Sequence, residues 1–231
     1  MSRPRIACVL AALLILILTA GPALAAGKAE AELEVLAAGV VLDKMMQQGD
    51  KSVPQDLLKR CRAVALFPGV IKAGFILGGQ GGSGVVLARH DDGSWSPPAF
   101  FNLAGASLGL QIGAQSTDLM LVIMTKKGLE GLLKNKVQLG ADASVALGPT
   151  GRRVLAGTTG SGLAPDVYAY SMSKGLFMGI SLDGAGLEYD AETTNAYYGF
   201  AESVRSILLE GKVKQQASSR QLIKQLRRYG R

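Results

Sequence analysis

Histidine and cysteine are almost missing from this chain: His90 is its one histidine, and Cys8 and Cys61 are its two cysteines. A metal centre built on nitrogen and sulfur takes three or four such ligands, and the one histidine and one cysteine left once Cys8 departs with the leader cannot build it. Cys8 lies in a segment that reads as a removable leader, leaving Cys61 alone. No intramolecular disulfide can then form, even in an oxidising compartment, and stability has to come from packing. Cys61 follows Leu57 and Leu58 at helical spacing and reads as a small buried hydrophobe. The apolar run near the N-terminus, Val9–Ala20, has twelve residues, short of the roughly 20 a membrane span requires. Net charge is also scarce through the body of the chain. Residues 26–201 carry 15 basic and 16 acidic residues, whereas residues 202–231 carry 8 and 2. No row of aromatics accompanies that basic tail, which argues against a nucleic-acid partner.

The leader has the parts of an export signal. Arg3 and Arg5 precede the apolar run, and Ala23-Leu24-Ala25 offers the small residues a signal peptidase needs. Residues 1–25 are therefore expected to be a signal peptide, with a periplasmic or secreted mature chain. The remaining residues suffice for one substantial core. We expect a single domain over 26–211 and a basic amphipathic helix over 212–231.

What the sequence has in quantity is glycine. Eleven glycines fall between Gly69 and Gly113, several times the ordinary frequency of about 7%. Strand side chains alternate between two faces. In Phe100–Gly113 one face reads Ala104, Ala106, Leu108, Leu110, Ile112, and the other Gly105, Ser107, Gly109, Gln111, Gly113. The second face has so little bulk that another sheet, a helix or a ligand must lie close against it.

The chain opens with a helix over Lys28–Gln48, where Leu33, Leu36, Ala37, Val40, Val41 and Met45 recur at three- and four-residue steps. A shorter helix is expected near 54–62, started by Pro54. The period then changes to two, predicting strands at 63–67, 71–78, 82–90, 99–113 and 118–125, with Asp91-Asp92-Gly93 as a hairpin turn. Leu119–Met124 is apolar on both faces and reads as a central strand. Lys126–Lys134 suits a short helix with Leu129, Leu132 and Leu133 inward. Strands near 137–147, 152–159, 165–172 and 175–189 follow, then helices over 191–210 and 215–229. The expected fold is α+β: an antiparallel sandwich or partly closed barrel of short Gly-rich strands, with N-terminal, mid-chain and C-terminal helices.

Two motifs invite catalytic or cofactor readings. Gly105-Ala106-Ser107-Leu108-Gly109 matches the G-x-S-x-G nucleophile elbow, but alternation runs straight through Ser107 where an elbow needs a strand-to-helix turn. His90 also precedes the serine, the wrong order for that hydrolase fold. Gly79-Gln80-Gly81-Gly82-Ser83-Gly84 satisfies G-x-G-x-x-G, yet Val85–Arg89 continues as a strand where a dinucleotide site opens a helix. Asp91 with Asp92, and Asp183 with Asp190, read as solvated turns rather than calcium ligands. No catalytic residue, metal or cofactor is expected.

The same block and its flanks resemble the SYLF domain family. The matching pieces include Leu66-Phe67-Pro68-Gly69-Val70, Lys72-Ala73-Gly74-Phe75, Gly84-Val85-Val86-Leu87-Ala88-Arg89 and Trp95-Ser96-Pro97-Pro98-Ala99-Phe100. They continue with Gly109–Asp118, Leu139–Ser144, Lys174–Leu182 and Asn195-Ala196-Tyr197-Tyr198-Gly199, in order over about 50–211. The resemblance implies non-enzymatic binding. Eukaryotic members are linked to phosphoinositide membranes and actin, and secreted bacterial members look like lipid-binding proteins. This chain departs from the eukaryotic pattern in its export signal and in lacking an appended proline-recognition domain. Lipid binding therefore carries over, and actin binding stays a property of the family.

Two basic features are the candidate lipid-binding residues. Lys59, Arg60, Arg62 and Lys72 flank Phe67-Pro68, as an anionic headgroup patch or as a solvated face. In the C-terminal helix, Leu222, Ile223, Leu226 and Tyr229 share one arc, and Arg220, Lys224, Arg227, Arg228 and Arg231 the opposite one. Such a helix lies in a membrane interface or docks on its own domain with its charges in water. The expected function is binding of anionic phospholipid in the cell envelope through Lys59, Arg60, Arg62, Lys72, Lys224, Arg227 and Arg228. The alternative is an assembly module whose partner is another envelope protein.

Overall fold

The structure, a computed structural model, describes residues 27–49, 52–148, 164–178, 182 and 184–231. The leader and the expected strand at 152–159 lie outside the described residues. The chain runs α1 (27–46), α2 (Gln55–Arg60), β1 (Ala63–Ala88), β2 (Ala99–Ile123), α3 (Lys126–Leu132), β3 (Lys136–Gln138), β4 (Val145–Leu147), β5 (Val167–Ser173), β6 (Leu176–Met178), β7 (Gly186–Tyr189), α4 (Ala191–Tyr198), α5 (Val204–Leu208) and α6 (Ser219–Tyr229).

The fold is α+β, and its centre is one long antiparallel ribbon. β1 and β2 pair from Ala63↔Ile123 to Val86↔Ala99 and are joined through the turn at Asp91–Gly93. The strands expected at 63–67, 71–78 and 82–90 are thus one strand. Register shifts between Phe67 and Val70, and between Gly74 and Ile76, bend the ladder without ending it. At the first shift Gly69 takes φ +62°, and its N–H donates to Asp118 Oδ1 at 3.1 Å. Lys44 of α1 pairs with the same carboxylate at 3.0 Å, tying the bulge to a helix.

The ribbon doubles over on itself. A Cβ on Gly84 would stand 2.3 Å from the Leu66 carbonyl and 2.4 Å from the Phe67 ring. One on Gly82 would meet Val70 at 3.2 Å, and one on Gly78 the Ala73 carbonyl at 2.3 Å. These nested pairs show β1 folding about residues 75–76, its two halves face to face. Stacked sheets filled by side chains sit about 10 Å apart, and only glycine permits this closer approach. On β1, Gly78, Gly82 and Gly84 thus meet the other half of their own strand. On β2, a Cβ on Gly105 would meet Ala185 at 2.9 Å.

The other strands complete a curled mixed sheet. β7 joins β2 at Phe101–Ala104, and β5 joins it at Asp118–Ile123. β3 extends β7, β6 pairs antiparallel with β5, and β4 lies parallel to β5. Leu119–Ile123 is buried and flanked on both sides, as expected of a central strand. The expected strands at 137–147 and 175–189 are each shorter and interrupted. The helix expected over 191–210 breaks in two at Gly199, whose φ of +82° caps α4 and turns the chain.

α6 closes the molecule. Leu222, Ile223, Leu226 and Tyr229 are all buried. Gln225 Nε2 donates to Asp43 Oδ2 at 2.5 Å, while Tyr229 Oη and Arg228 donate to Asp43 Oδ1 at 2.8 and 3.1 Å. The apolar arc of the C-terminal helix is therefore spent on its own domain.

Candidate functional site

Two surfaces stand out, one basic and one concave. The basic surface is built by α2 and α6, which pack together at the end of α6, where Gly230 lies against the Leu58 carbonyl. Leu57 and Leu58 turn inward, so Lys59 and Arg60 in the last turn of α2 face solvent. On α6 the inward Leu222, Ile223 and Leu226 leave Lys224, Arg227 and Arg228 exposed. Sequence-distant cations thus come to neighbouring helices.

Not every candidate is equally available. Lys59 pairs with Asp56 at 3.6 Å, and Arg60 donates from Nε to the Asp56 carbonyl at 3.2 Å. Arg62 holds Asp91 at 2.8 Å beside the hairpin turn, and Arg228 is tied to Asp43 and stacks over the Tyr229 ring, 4.5 Å from its centroid. Lys224 and Arg227 make no ion pair with any described residue. Lys72 stands apart from this group. It lies nine residues along β1 from Ala63, opposite Gln115 and near the fold of the ribbon, about 30 Å away by the rise of a strand.

The concave surface was not legible in the sequence. A cavity of about 1320 Å³ opens between α1, α4 and the doubled ribbon. Pro68 and Ser83 both reach it because the fold of β1 brings their two halves together. α1 contributes Leu33, Glu34 and Ala37, and the α4 region contributes Asp190, Asn195 and Phe200. α1 therefore has two apolar faces. Val35, Ala38, Leu42 and Met45 are buried, while Leu33, Leu36 and Val40 are at least half exposed. The signal in the sequence was an apolar helix with too many leucines and valines for one face.

Glu34 is the unusual group here. Burial pushes its carboxyl up to about 7, opposed by a hydrogen bond with Ser83 and reinforced by the charge of Asp190. Its Oε1 is enclosed and has no hydrogen-bond partner among the described residues. Asp190 is fully engaged by contrast: it caps α4 through Thr193 N at 2.9 Å and accepts from Thr193 Oγ1 and Asn102 Nδ2.

The two tempting motifs are settled by the backbone. Gly105–Gly109 and Gly79–Gly84 both lie inside continuous ladder pairing, so neither forms a strand-to-helix turn. Cys61 is buried, its Sγ donating to the Leu58 carbonyl at 3.3 Å, and burial raises its thiol to about 12. Among the described residues no helix is long and apolar enough to cross a membrane.

The family model described as "Ysc84: Las17-binding protein actin regulator" matches residues 104–229, more than half of the chain. The chain belongs to the Ysc84, or SYLF-domain, family. Its relatives include LAS seventeen-binding protein 3 of Saccharomyces cerevisiae, 35% identical over 71% of this chain and 36% of the relative. SH3 domain-containing YSC84-like protein 1 of Rattus norvegicus is 37% identical over 75% of this chain and 50% of its own length. The Xenopus laevis protein of the same name is 38% identical over 65% and 44% respectively. The chain thus spans a third to a half of these relatives. No solved structure matches it. The Ysc84 match runs to Tyr229 and so takes in α6.

Proposed function

We propose that this Ysc84-family chain is a non-enzymatic binding protein of the cell envelope that engages anionic phospholipid surfaces. The observation that carries the reading is the docking of α6. With its apolar arc buried, the helix presents Lys224, Arg227 and Arg228 outward beside Lys59 and Arg60 of α2. Binding is then peripheral and electrostatic, not an insertion of the helix. Each cation near an anionic surface contributes about 1 kcal/mol, so several together hold a protein on a membrane at modest salt. Lys72 lies too far along β1 to share that contact, and Arg62 is occupied by Asp91. The signal-like pattern expected over residues 1–25 supports the envelope as the compartment.

The test is flotation of the mature protein with vesicles of phosphatidylglycerol and phosphatidylcholine against phosphatidylcholine alone. We expect binding to the anionic vesicles only, weakening between 50 and 500 mM salt on the order of tenfold or more as charges are screened. Equal recovery with both vesicles sinks the lipid reading. A second reading, an assembly module for another envelope protein, is favoured by exposed Leu33, Leu36 and Val40 on α1 and by relatives named for binding Las17. Failure of flotation together with retained protein capture would select it.

A further inference from the structure

The cavity between α1, α4 and the doubled ribbon has a charge opposite to that of the α2–α6 surface. Four acidic residues, Glu30, Glu34, Asp190 and Glu192, line it against one cation, Lys28. An anionic headgroup would be repelled there. Its volume of about 1320 Å³ exceeds the roughly 300–1,000 Å³ of pockets for drug-sized molecules, leaving room for a polar head and a chain. Its walls are mixed in the same sense. Leu33 and Phe200 stand 65% and 50% exposed beside Ala37, an apolar strip with nothing described over it. Among the acids, Asp190 has its oxygens engaged by Thr193 and Asn102, whereas Glu34 keeps one oxygen without a partner among the described residues.

We propose that this cavity binds an alkylammonium amphiphile, its protonated amine set against Glu34 and its chain laid along Leu33, Ala37 and Phe200. A primary ammonium supplies what the site lacks. It offers three N–H donors and a positive charge to an acidic lining. The alkyl chain covers exposed apolar surface, each buried methylene contributing about 0.8 kcal/mol. Because Glu34 holds its proton to about pH 7, the site switches with pH. The groups facing it are Lys28 and Glu30 on α1, Asp190 and Glu192 at the start of α4, and the neutral Ser83 on β1. An alkylammonium stays charged near pH 10, so Glu34 sets the change near neutrality. This site is separate from the phospholipid surface, and neither proposal depends on the other.

Calorimetric titration of the mature protein with octylammonium chloride, sodium octanoate and 1-octanol tests it. Octylammonium is expected to bind at pH 8.5 at least tenfold more tightly than octanoate or octanol, and at least tenfold more weakly at pH 5.5. Glu34→Gln should lose about tenfold at pH 8.5 and flatten the pH dependence, with circular dichroism verifying the fold. Ala37→Trp, which puts an indole on the apolar strip where the chain would lie and leaves Glu34 intact, should also lose binding. Octanoate or octanol binding as tightly as octylammonium overturns the proposal, as does no octylammonium binding at all. Unchanged affinity in either variant overturns it too.

Discussion

At the scale of single residues, burial decides what the chemistry-bearing side chains do. Cys61 is enclosed by the core, and its thiol, raised to about 12, is almost wholly protonated at neutral pH. The thiolate is the reactive form. In protein prepared without residues 1–25, and so without Cys8, we expect a thiol reagent such as dithiobisnitrobenzoate to leave the folded state unmodified for hours and to titrate one thiol in guanidinium. Glu34 gives a prediction with a sign. Its carboxyl is raised from 4.5 to about 7 on folding, so the folded state holds a proton that the unfolded chain releases. Stability attributable to Glu34 is therefore greatest below pH 4.5 and is lost as pH rises through 7. Glu34→Gln should match the parent near pH 4.5 and exceed it at pH 8.5 by on the order of 1 kcal/mol, the solvent contact of the side chain screening the rest. Urea unfolding at the two pH values measures this, and a variant less stable at pH 8.5 contradicts the assignment.

At the scale of elements, the glycines are the working parts of the ribbon. Gly84 and Gly79 stand five residues apart on the same strand. A Cβ on Gly84 would collide with the Leu66 carbonyl and Phe67 ring, whereas one on Gly79 would meet nothing within 4 Å. Gly84→Ala is expected to cost about 3 kcal/mol or more by forcing the two halves apart, and Gly79→Ala to fall within about 0.5 kcal/mol of the parent. Thermal melts of the pair check this, and equal effects would show that the ribbon does not double at Gly84. α6 behaves as an element of the core. Deleting residues 212–231 would strip away buried Val213, Leu222, Ile223, Leu226 and Tyr229 and orphan Asp43. A tail deletion therefore unfolds what it means to probe, and surface charge reversal is the sound test of the helix.

At the scale of the whole molecule, charge is segregated onto separate faces. Four of the eight basic residues over 202–231 lie on α6, which docks against α1 and α2, while the α1–α4 cavity is acidic. The two surfaces should respond independently. Lys224→Glu with Arg227→Glu is expected to lower recovery with anionic vesicles at least tenfold and to leave the melting temperature within a few degrees, since both side chains are exposed. Glu34→Gln should leave flotation unchanged. A flotation loss in Glu34→Gln would join the two surfaces into one site.

Much of this molecule was readable from residue order. The period-two runs placed β1 and β2, Asp91–Gly93 placed their turn, and the doubly apolar Leu119–Ile123 marked the central strand, because alternation and turn chemistry are local. The bare glycine face required a close neighbour, and the ordered family motifs pointed to the Ysc84 domain. The identity of that neighbour was settled only by the tertiary structure. For Gly105 it is Ala185, while the glycines of β1 meet the other half of their own strand, since residues 66 and 84 meet when the ribbon folds about 75–76. The structure also turned the apolar arc of α6 inward and left Leu33 and Leu36 of α1 outside. It assembled the Glu34 cavity from segments more than 150 residues apart. Local pattern dictates which side chains are small, apolar or charged. Which of them meet depends on how the ribbon closes, and closure is a property of the whole chain.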